Sequence, residues 1–270
     1  MSEIKTYAES IFDELVAIRR DIHAHPEVGM TEVRTSDLIR RELEKMGMDE
    51  VQSPLPTAVV GLLHGGKGPG KCVAFRADID ALPVHEETGL PFVSQNEGVM
   101  HACGHDLHTT MLLGLAKTLC HLRDSFAGTV KFIFEPSEDT MPGGARKLVA
   151  AGVMENPHVD AIFGQHVCPS ENDTVGTLNL YKGYFTSAVD LFHIAVHGKS
   201  GHGAAPHTAH LTGWAKRTSG APPRPRRHRL RGVSHHRAAN GGVPPHRPHG
   251  LRRADGGYHV RRRRGEHHRR

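Results

Sequence analysis

Three things are missing from this chain of 270 residues. No window approaches the roughly 18 uninterrupted apolar residues that a transmembrane helix needs. The opening stretch, MSEIKTYAESIFDELVAIRRDIH, has no apolar h-region, so it reads as a charged amphipathic helix and not as a secretory signal. Cysteine is scarce: Cys72, Cys103, Cys120 and Cys168 are widely spaced and form no disulfide framework. Together these absences predict a reduced, cytoplasmic protein in which any special cysteine is a ligand and not half of a bridge. A second Cys-x-x-Cys or His-x-x-x-His partner is lacking too, which excludes a closed structural zinc site.

Charge and aliphatic content divide the chain. Residues 214–270 carry Lys216 and sixteen arginines against Asp255 and Glu266, a net +15, which leaves −10 for residues 1–213 in a total of +5. The same 57 residues hold five large aliphatic side chains: Leu230, Val233, Val243, Leu251 and Val260. Neither period 2 nor period 3.6 survives there. Such a segment buries too little apolar surface to offset its chain entropy, so the basic tail is expected to be disordered.

The body has a readable pattern. Ile11, Leu15, Ile18 and Ile22 recur at helical spacing within residues 6–23. TEVRTSDLIRRELEKMG predicts a second helix that Gly47 ends as its C′ residue. TAVVGLLHG and KCVAFRADID read as strands joined by the glycine-rich GGKGPG. HTTMLLGLAKTLCHL follows as a helix, GTVKFIFEP as a strand, GGARKLVAAGVM as a helix and VDAIFGQHV as a strand. This alternation predicts an α/β fold with a mainly parallel sheet flanked by helices. From about Tyr184 the texture changes, and SAVDLFHIAVHG alternates like a half-exposed antiparallel strand. The expected organisation is a catalytic domain over 1–183, the start of a smaller α+β lid or dimerisation domain over 184–210, and the aberrant tail over 211–270.

Chemistry-bearing residues cluster at corresponding places. RADIDALP, EPSED and QHVCP each lie just past the carboxyl end of a predicted strand, where open α/β sheets build their sites. HACGHD stands at the start of a helix and crowds His101, Cys103, His105, Asp106 and His108 into eight positions. Cys103, His105, Glu138, Asp139 and His166 can therefore converge. Thiolate, imidazole and carboxylate together suit a borderline transition metal. In the Glu138-Asp139 pair, one carboxylate can hold metal while the other takes a proton from water. Cys72, in an apolar strand, and Cys120, late in an apolar helix, read as core. The remaining histidines, such as His23, His64, His121 and His158, read as surface or satisfied core residues.

At these motifs the sequence resembles the hippurate hydrolase and indoleacetyl-amino-acid hydrolase group of metal-dependent amidohydrolases, a branch of the aminoacylase and carboxypeptidase G-like two-metal peptidases. The resemblance runs from about Ile11 to Thr208. It rests on RRDIHAHPEVGMTEVRTSDLI, FRADIDALPVHEETGLPFVS, MHACGHDLHTTMLLG, FIFEPSEDTMPGGA, GQHVCP and VHGKSGHGAAPH. It implies a zinc-peptidase-like catalytic domain, two divalent metal ions (zinc or manganese, with nickel or cobalt as alternatives) and an N-acyl amino acid substrate. Cys103, His105, Asp139 and His166 match metal ligands, Glu138 the general base, and Asp80 an aspartate that orients a ligand. His202 matches a lid histidine that reaches a partner subunit's site in a homodimer or tetramer. Asp139 stands where the group usually has glutamate. The group also has a further metal-binding histidine near its C-terminus, for which this sequence offers no match. Composition switches abruptly near residue 209, as a shifted reading frame in a GC-rich gene would produce.

Three functions follow from this reading. The first is metal-dependent cleavage of N-acyl amino acids. The second is nucleic-acid or anionic-surface binding by the tail; against it, the tail has only Trp214 and Tyr258 for stacking and no recognisable binding module. The third is a catalytically inactive remnant of the first.

Overall fold

The computed structural model describes residues 3–168, 174–179, 191–199, 202, 204–205, 210–219, 251–254 and 257–260. The chain divides into two compact units, Met1–Ala221 and Pro222–Arg270.

In the first unit the order of elements begins with α1 (Glu3–Ser10), α2 (Phe12–Ala24), α3 (Val33–Lys45), β1 (Glu50–Gln52), β2 (Val59–His64) and β3 (Cys72–Asp78). It continues with α4 (His105–His121), β4 (Thr129–Glu135), α5 (Gly144–Ala150) and β5 (Ala161–Gly164). The helix expected over residues 6–23 is broken at Ile11. Ser10 Oγ donates to Tyr7 O at 2.7 Å, and the same carbonyl also accepts the Ile11 N–H at 3.2 Å, so helical bonds continue on either side of the break. Helix α3 ends as its sequence predicts. Gly47 takes φ 78°, its N–H donates to Glu44 O at 3.1 Å, and the Met48 N–H donates to Leu43 O at 3.1 Å. This pair of bonds is a Schellman motif.

The five strands lie in the order β1-β2-β4-β3-β5. Strand β4 runs parallel to β3, and β3 parallel to β5, whereas β2 pairs antiparallel with both β4 and β1, so β2 alone runs against the other four. The sheet is thus mixed. GGKGPG joins β2 to β3 in sequence, but β4 pairs between them. Residues alternate between the two faces with the period of a strand. Val59, Leu63, Ala77, Val130, Phe132 and Phe134 pack on one face with Ile39 and Leu43 of α3 and Leu112, Leu113 and Ala116 of α4. Ala58, Val60, Cys72, Ala74 and Ile133 pack on the other with Leu148 of α5, Val153 and Val159. Cys72 is buried and Cys120 packs half-buried against the first cluster. The crossover through α4 and the return through α5 cover opposite faces, so the carboxyl ends of β3, β4 and β5 share one rim.

Strands β6 (Leu191–Lys199) and β7 (His210–Ser219) form an antiparallel pair, as the alternation in SAVDLFHIAVHG predicts. The expected lid boundary near Tyr184 lies outside the described residues, and the expected start of the tail at 211 falls within β7. In the second unit, β8 (Leu251–Ala254) pairs antiparallel with β9 (Gly257–Val260). The rest of the tail, on which the expectation of disorder rests, lies outside the described residues.

Candidate metal centre

The rim is built from three strand ends and one helix start. Asp78 is the last residue of β3 and Asp80 follows two positions on, both buried. The Glu138-Asp139 pair follows β4 through Ser137, and His166 lies two residues past β5. Cys103 and His105 flank Gly104 at the start of α4. Gly104 has φ 88°, and an added Cβ would stand 2.6 Å from Val167 Cγ2. Backbone strain and lack of space both call for glycine there.

The fold brings together residues that lie 63 positions apart. Cys103 Sγ is 3.3 Å from His166 Nε2. Ligand atoms of Cys103, His105 and His166 lie within 4.8 Å of one another, as do those of Asp80, His105 and Asp139. His105 belongs to both groups. Its Nδ1 faces Asp80 O at 2.9 Å and Asp80 Oδ1 at 3.2 Å, so the ring donates from Nδ1. Its Nε2 is buried and has no hydrogen-bond partner, with Asp78 Oδ2 at 3.5 Å and Asp139 Oδ2 at 3.9 Å. Asp80 Oδ2 accepts the Asp139 N–H at 3.1 Å, which ties the acidic loop to the same aspartate. His166 Nδ1 faces Val167 O at 2.6 Å, which leaves Nε2 turned to the thiol. The floor of the site is buried, whereas Glu138, Asp139 and His166 are exposed at its mouth.

Charge at the rim is unbalanced. Burial raises the Cys103 thiol, and the nearby Asp139, Asp78, Glu138 and Asp80 raise it further, to about 11. Burial and Asp139 likewise push the Glu138 carboxyl above its usual range. Burial works against a charged His105, but its bond to Asp80 and the charges of Asp78 and Asp139 outweigh that and raise its pKa. Burial would also raise Asp78, yet the His108 hydrogen bond and the Arg76 guanidinium hold it at about 2. Burial first, and the four acids after it, therefore oppose a Cys103 thiolate at this helix start. A divalent cation reverses this field, since it stabilises thiolate and carboxylate together. A sulfur, imidazole and carboxylate donor set with one buried imidazole nitrogen unpartnered fits such an ion.

Other expected residues stand apart from this cluster. His202 is exposed, and its Nδ1 accepts the Ala204 N–H at 3.2 Å. No hydrogen bond among the described residues joins it to the rim. His101 is buried with both ring nitrogens unpartnered among the described residues, and burial lowers its pKa to about 4. His23, read as a surface or satisfied core residue, is buried between Asp106 and Glu86.

Sequence reasoning missed two members of the site. Asp78 and His108 form a third close group with His105. The signal was spacing. Asp78 and Asp80 stand two apart at a strand end and share a face; His105 and His108 stand three apart on a helix and share a face.

The sequence matches Peptidase family M20/M25/M40 over residues 74–255, and the chain belongs to that family. It is 44% identical over 206 residues to an N-acyl-L-amino acid amidohydrolase of Geobacillus stearothermophilus, covering 76% of this chain and 54% of that protein. It is 45% identical over 201 residues to an Arabidopsis thaliana IAA-amino acid hydrolase, covering 74% of this chain and 45% of that one. Among solved structures it resembles a Bacillus subtilis dinuclear metal binding peptidase of the M20 family, with 43% identity and a TM-score of 0.64 over 70% of this chain and 52% of that one. The chain spans about half the length of the curated relatives it matches. Among the described residues no helix is long and apolar enough to cross a membrane.

Proposed function

We propose that the chain carries the metal-binding half of an amidohydrolase that cleaves the amide bond of N-acyl amino acids, with hippurate-like or N-acetyl amino acids as substrates. The observation that carries this reading is the buried, unpartnered His105 Nε2 facing Cys103, His166 and Asp139 amid an excess of acids. Cys103, His105, Asp139 and His166 would hold two divalent ions, zinc or manganese, with nickel or cobalt as alternatives. When bound, the ions supply Lewis-acid polarisation of the amide carbonyl and stabilise the charge that develops on it.

The chain's own residues do the remaining work. Asp80 accepts the proton-bearing Nδ1 of His105 and so turns Nε2 outward, the kind of support metal ligands generally need. Glu138 lies at the exposed mouth, and a carboxyl with a raised pKa is matched to moving protons near neutral pH. It takes the proton of the attacking water and delivers it to the leaving amine. Asp139 is one methylene shorter than the family's usual glutamate, and its backbone bond to Asp80 draws the loop inward. His202 would polarise the scissile carbonyl in a partner subunit of a dimer or tetramer formed through the lid. A reducing cytoplasm suits a cysteine ligand.

The test is release of free amino acid from hippurate and N-acetyl amino acids by the 270-residue chain with Mn²⁺ or Zn²⁺ added. Glu138→Gln is expected to lower any turnover by roughly 10²–10⁴, the range general-base catalysis contributes. Equal rates would remove Glu138 as the base. Tight metal binding without turnover would favour the inactive-remnant reading. Failure to bind any divalent ion, with salt-sensitive binding of nucleic acid instead, would favour the basic tail.

A further inference from the structure

Asp78, His105 and His108 lie close enough to hold an ion of their own, but the hydrogen bonds argue otherwise. Both nitrogens of His108 are committed. Nδ1 lies 2.5 Å from Asp78 Oδ1, and Nε2 accepts the Val167 N–H at 2.9 Å. A backbone N–H can only donate, so Nε2 carries no proton and Nδ1 carries it toward the carboxylate. Asp78 is committed as well: its Oδ2 accepts from an Arg76 guanidinium nitrogen at 2.7 Å, while Arg76 Nε donates to Glu135 Oε2 at 2.6 Å. His108 and Asp78 are buried, so an ion taking either would strand a polar partner away from water. In the Cys103–His105–His166 group, by contrast, the 3.3 Å approach of thiol and imidazole is the one internal hydrogen-bond contact, and the His105 and His166 rings otherwise meet only edge-on.

Val167 is held from three directions. His108 takes its N–H, His166 Nδ1 bonds its carbonyl, and its side chain lies against Gly104. Fixing Val167 fixes His166, because the same residue's carbonyl orients the His166 ring and presents Nε2 to Cys103. The segment needs such a tie, since β5 is short and exposed and His166 itself is exposed.

We infer that His108 is the positioning residue for His166: the Arg76–Asp78–His108 relay clamps the Val167 backbone and thereby sets the His166 ring against Cys103. This rests on the reading of Cys103 and His166 as ligands. It assigns His108 to holding a ligand and excludes it from being one.

The test titrates Co²⁺ into the full 270-residue chain and its variants, following thiolate-to-cobalt absorption for Cys103 and total affinity for the site. His166→Ala supplies the reference for loss of that ligand. His108→Ala is expected to weaken binding by about 10–100-fold, as loss of an outer-shell partner does, while the thiolate absorption persists. The two amide variants separate positioning from space filling. His108→Gln keeps an acceptor where Nε2 stood and should recover much of the affinity. His108→Asn reaches only toward Asp78 and should behave like His108→Ala. If the alanine variant does not fold, the comparison of glutamine with asparagine decides. Equal affinities for those two, or an alanine variant as tight as the unaltered chain, would overturn the inference. An unaltered chain that binds no Co²⁺, or His166→Ala with unchanged affinity, would overturn the underlying ligand assignment and this inference with it.

Discussion

Two buried polar networks meet at the start of α4. Asp106 belongs to one, and His105, its neighbour in sequence, belongs to the other. In the first, Asp106 Oδ2 faces Arg19 Nε at 2.8 Å and His23 Nδ1 at 2.7 Å, while His23 Nε2 faces Glu86 Oε1 at 3.1 Å. The hydrogen bond to Asp106 raises the His23 pKa, and both ring nitrogens face carboxylate oxygens, which only accept, so in this geometry both donate and two acids face two cations. In the second, Asp78, Asp80, Glu138 and Asp139 surround His105, with Arg76 beside Asp78 already shared with Glu135. The first network balances its charge from within and serves the fold. The second has acids in excess and a nitrogen without a partner, and it becomes balanced only when a cation is added. Neither burial nor an unpartnered atom alone distinguishes a structural cluster from a binding one, since Asp106 Oδ1 in the first network is also buried without a hydrogen-bond partner; the count of charges does.

The largest effect that would sharpen this contrast belongs to His105. His105→Ala should weaken divalent-ion binding by more than about 100-fold, beyond what loss of an outer-shell partner costs. Isothermal titration with Zn²⁺ reads this directly, and an unchanged affinity would dissolve the contrast.

The opposite result is expected at His23. His23→Ala leaves Glu86 without its cation and Asp106 with only Arg19, so unfolding free energy should fall by roughly 3 kcal/mol, the lower end for breaking a buried pair. Metal affinity measured on the remaining folded protein should not move.

A third, smaller effect depends on pH. Asp78 has a pKa near 2 in the folded chain against an ordinary value of 3.8. A depressed folded pKa stabilises the fold above the unfolded value, and that stability is lost as pH falls toward the folded one. About 2 kcal/mol should therefore disappear from the metal-free protein between about pH 4 and pH 2. Urea midpoints across this range should show a shallower acid limb in Asp78→Asn than in the unaltered chain.

The smallest change is local. Gly104→Ala forces an L side chain into a left-handed backbone and against Val167, at about 1–2 kcal/mol. Thermal unfolding checks the cost. A neutral substitution would mean that Val167 moves aside freely, which would also weaken the case for a clamped His166.

Much of the fold was legible because it rests on local periodicity. Ile39 and Leu43 lie four apart on one helical face, and Phe132 and Phe134 two apart on one strand face. The rim was legible because acids and histidines follow three predicted strands. The break at Ile11 was not, since the four-residue steps from Tyr7 to Ile11 and from Ile11 to Leu15 run through it without a gap in the helical spacing. Asp78 and His108 were missed because RADID and CGHDLH offered more donors than the site uses, and composition does not say which are already engaged.

Sequence by itself thus determined the helices and strands, the glycine that ends α3, and the density of metal-binding side chains between His101 and His108. Only tertiary structure decided that β4 enters between β2 and β3, that His166 returns to Cys103 across 63 residues, and that His108 faces a backbone N–H. The physical reason is that a side chain's role at such a rim depends on which of its lone pairs and protons are still free. Those partners come from β3, α4 and the segment after β5, which the chain brings together only on folding.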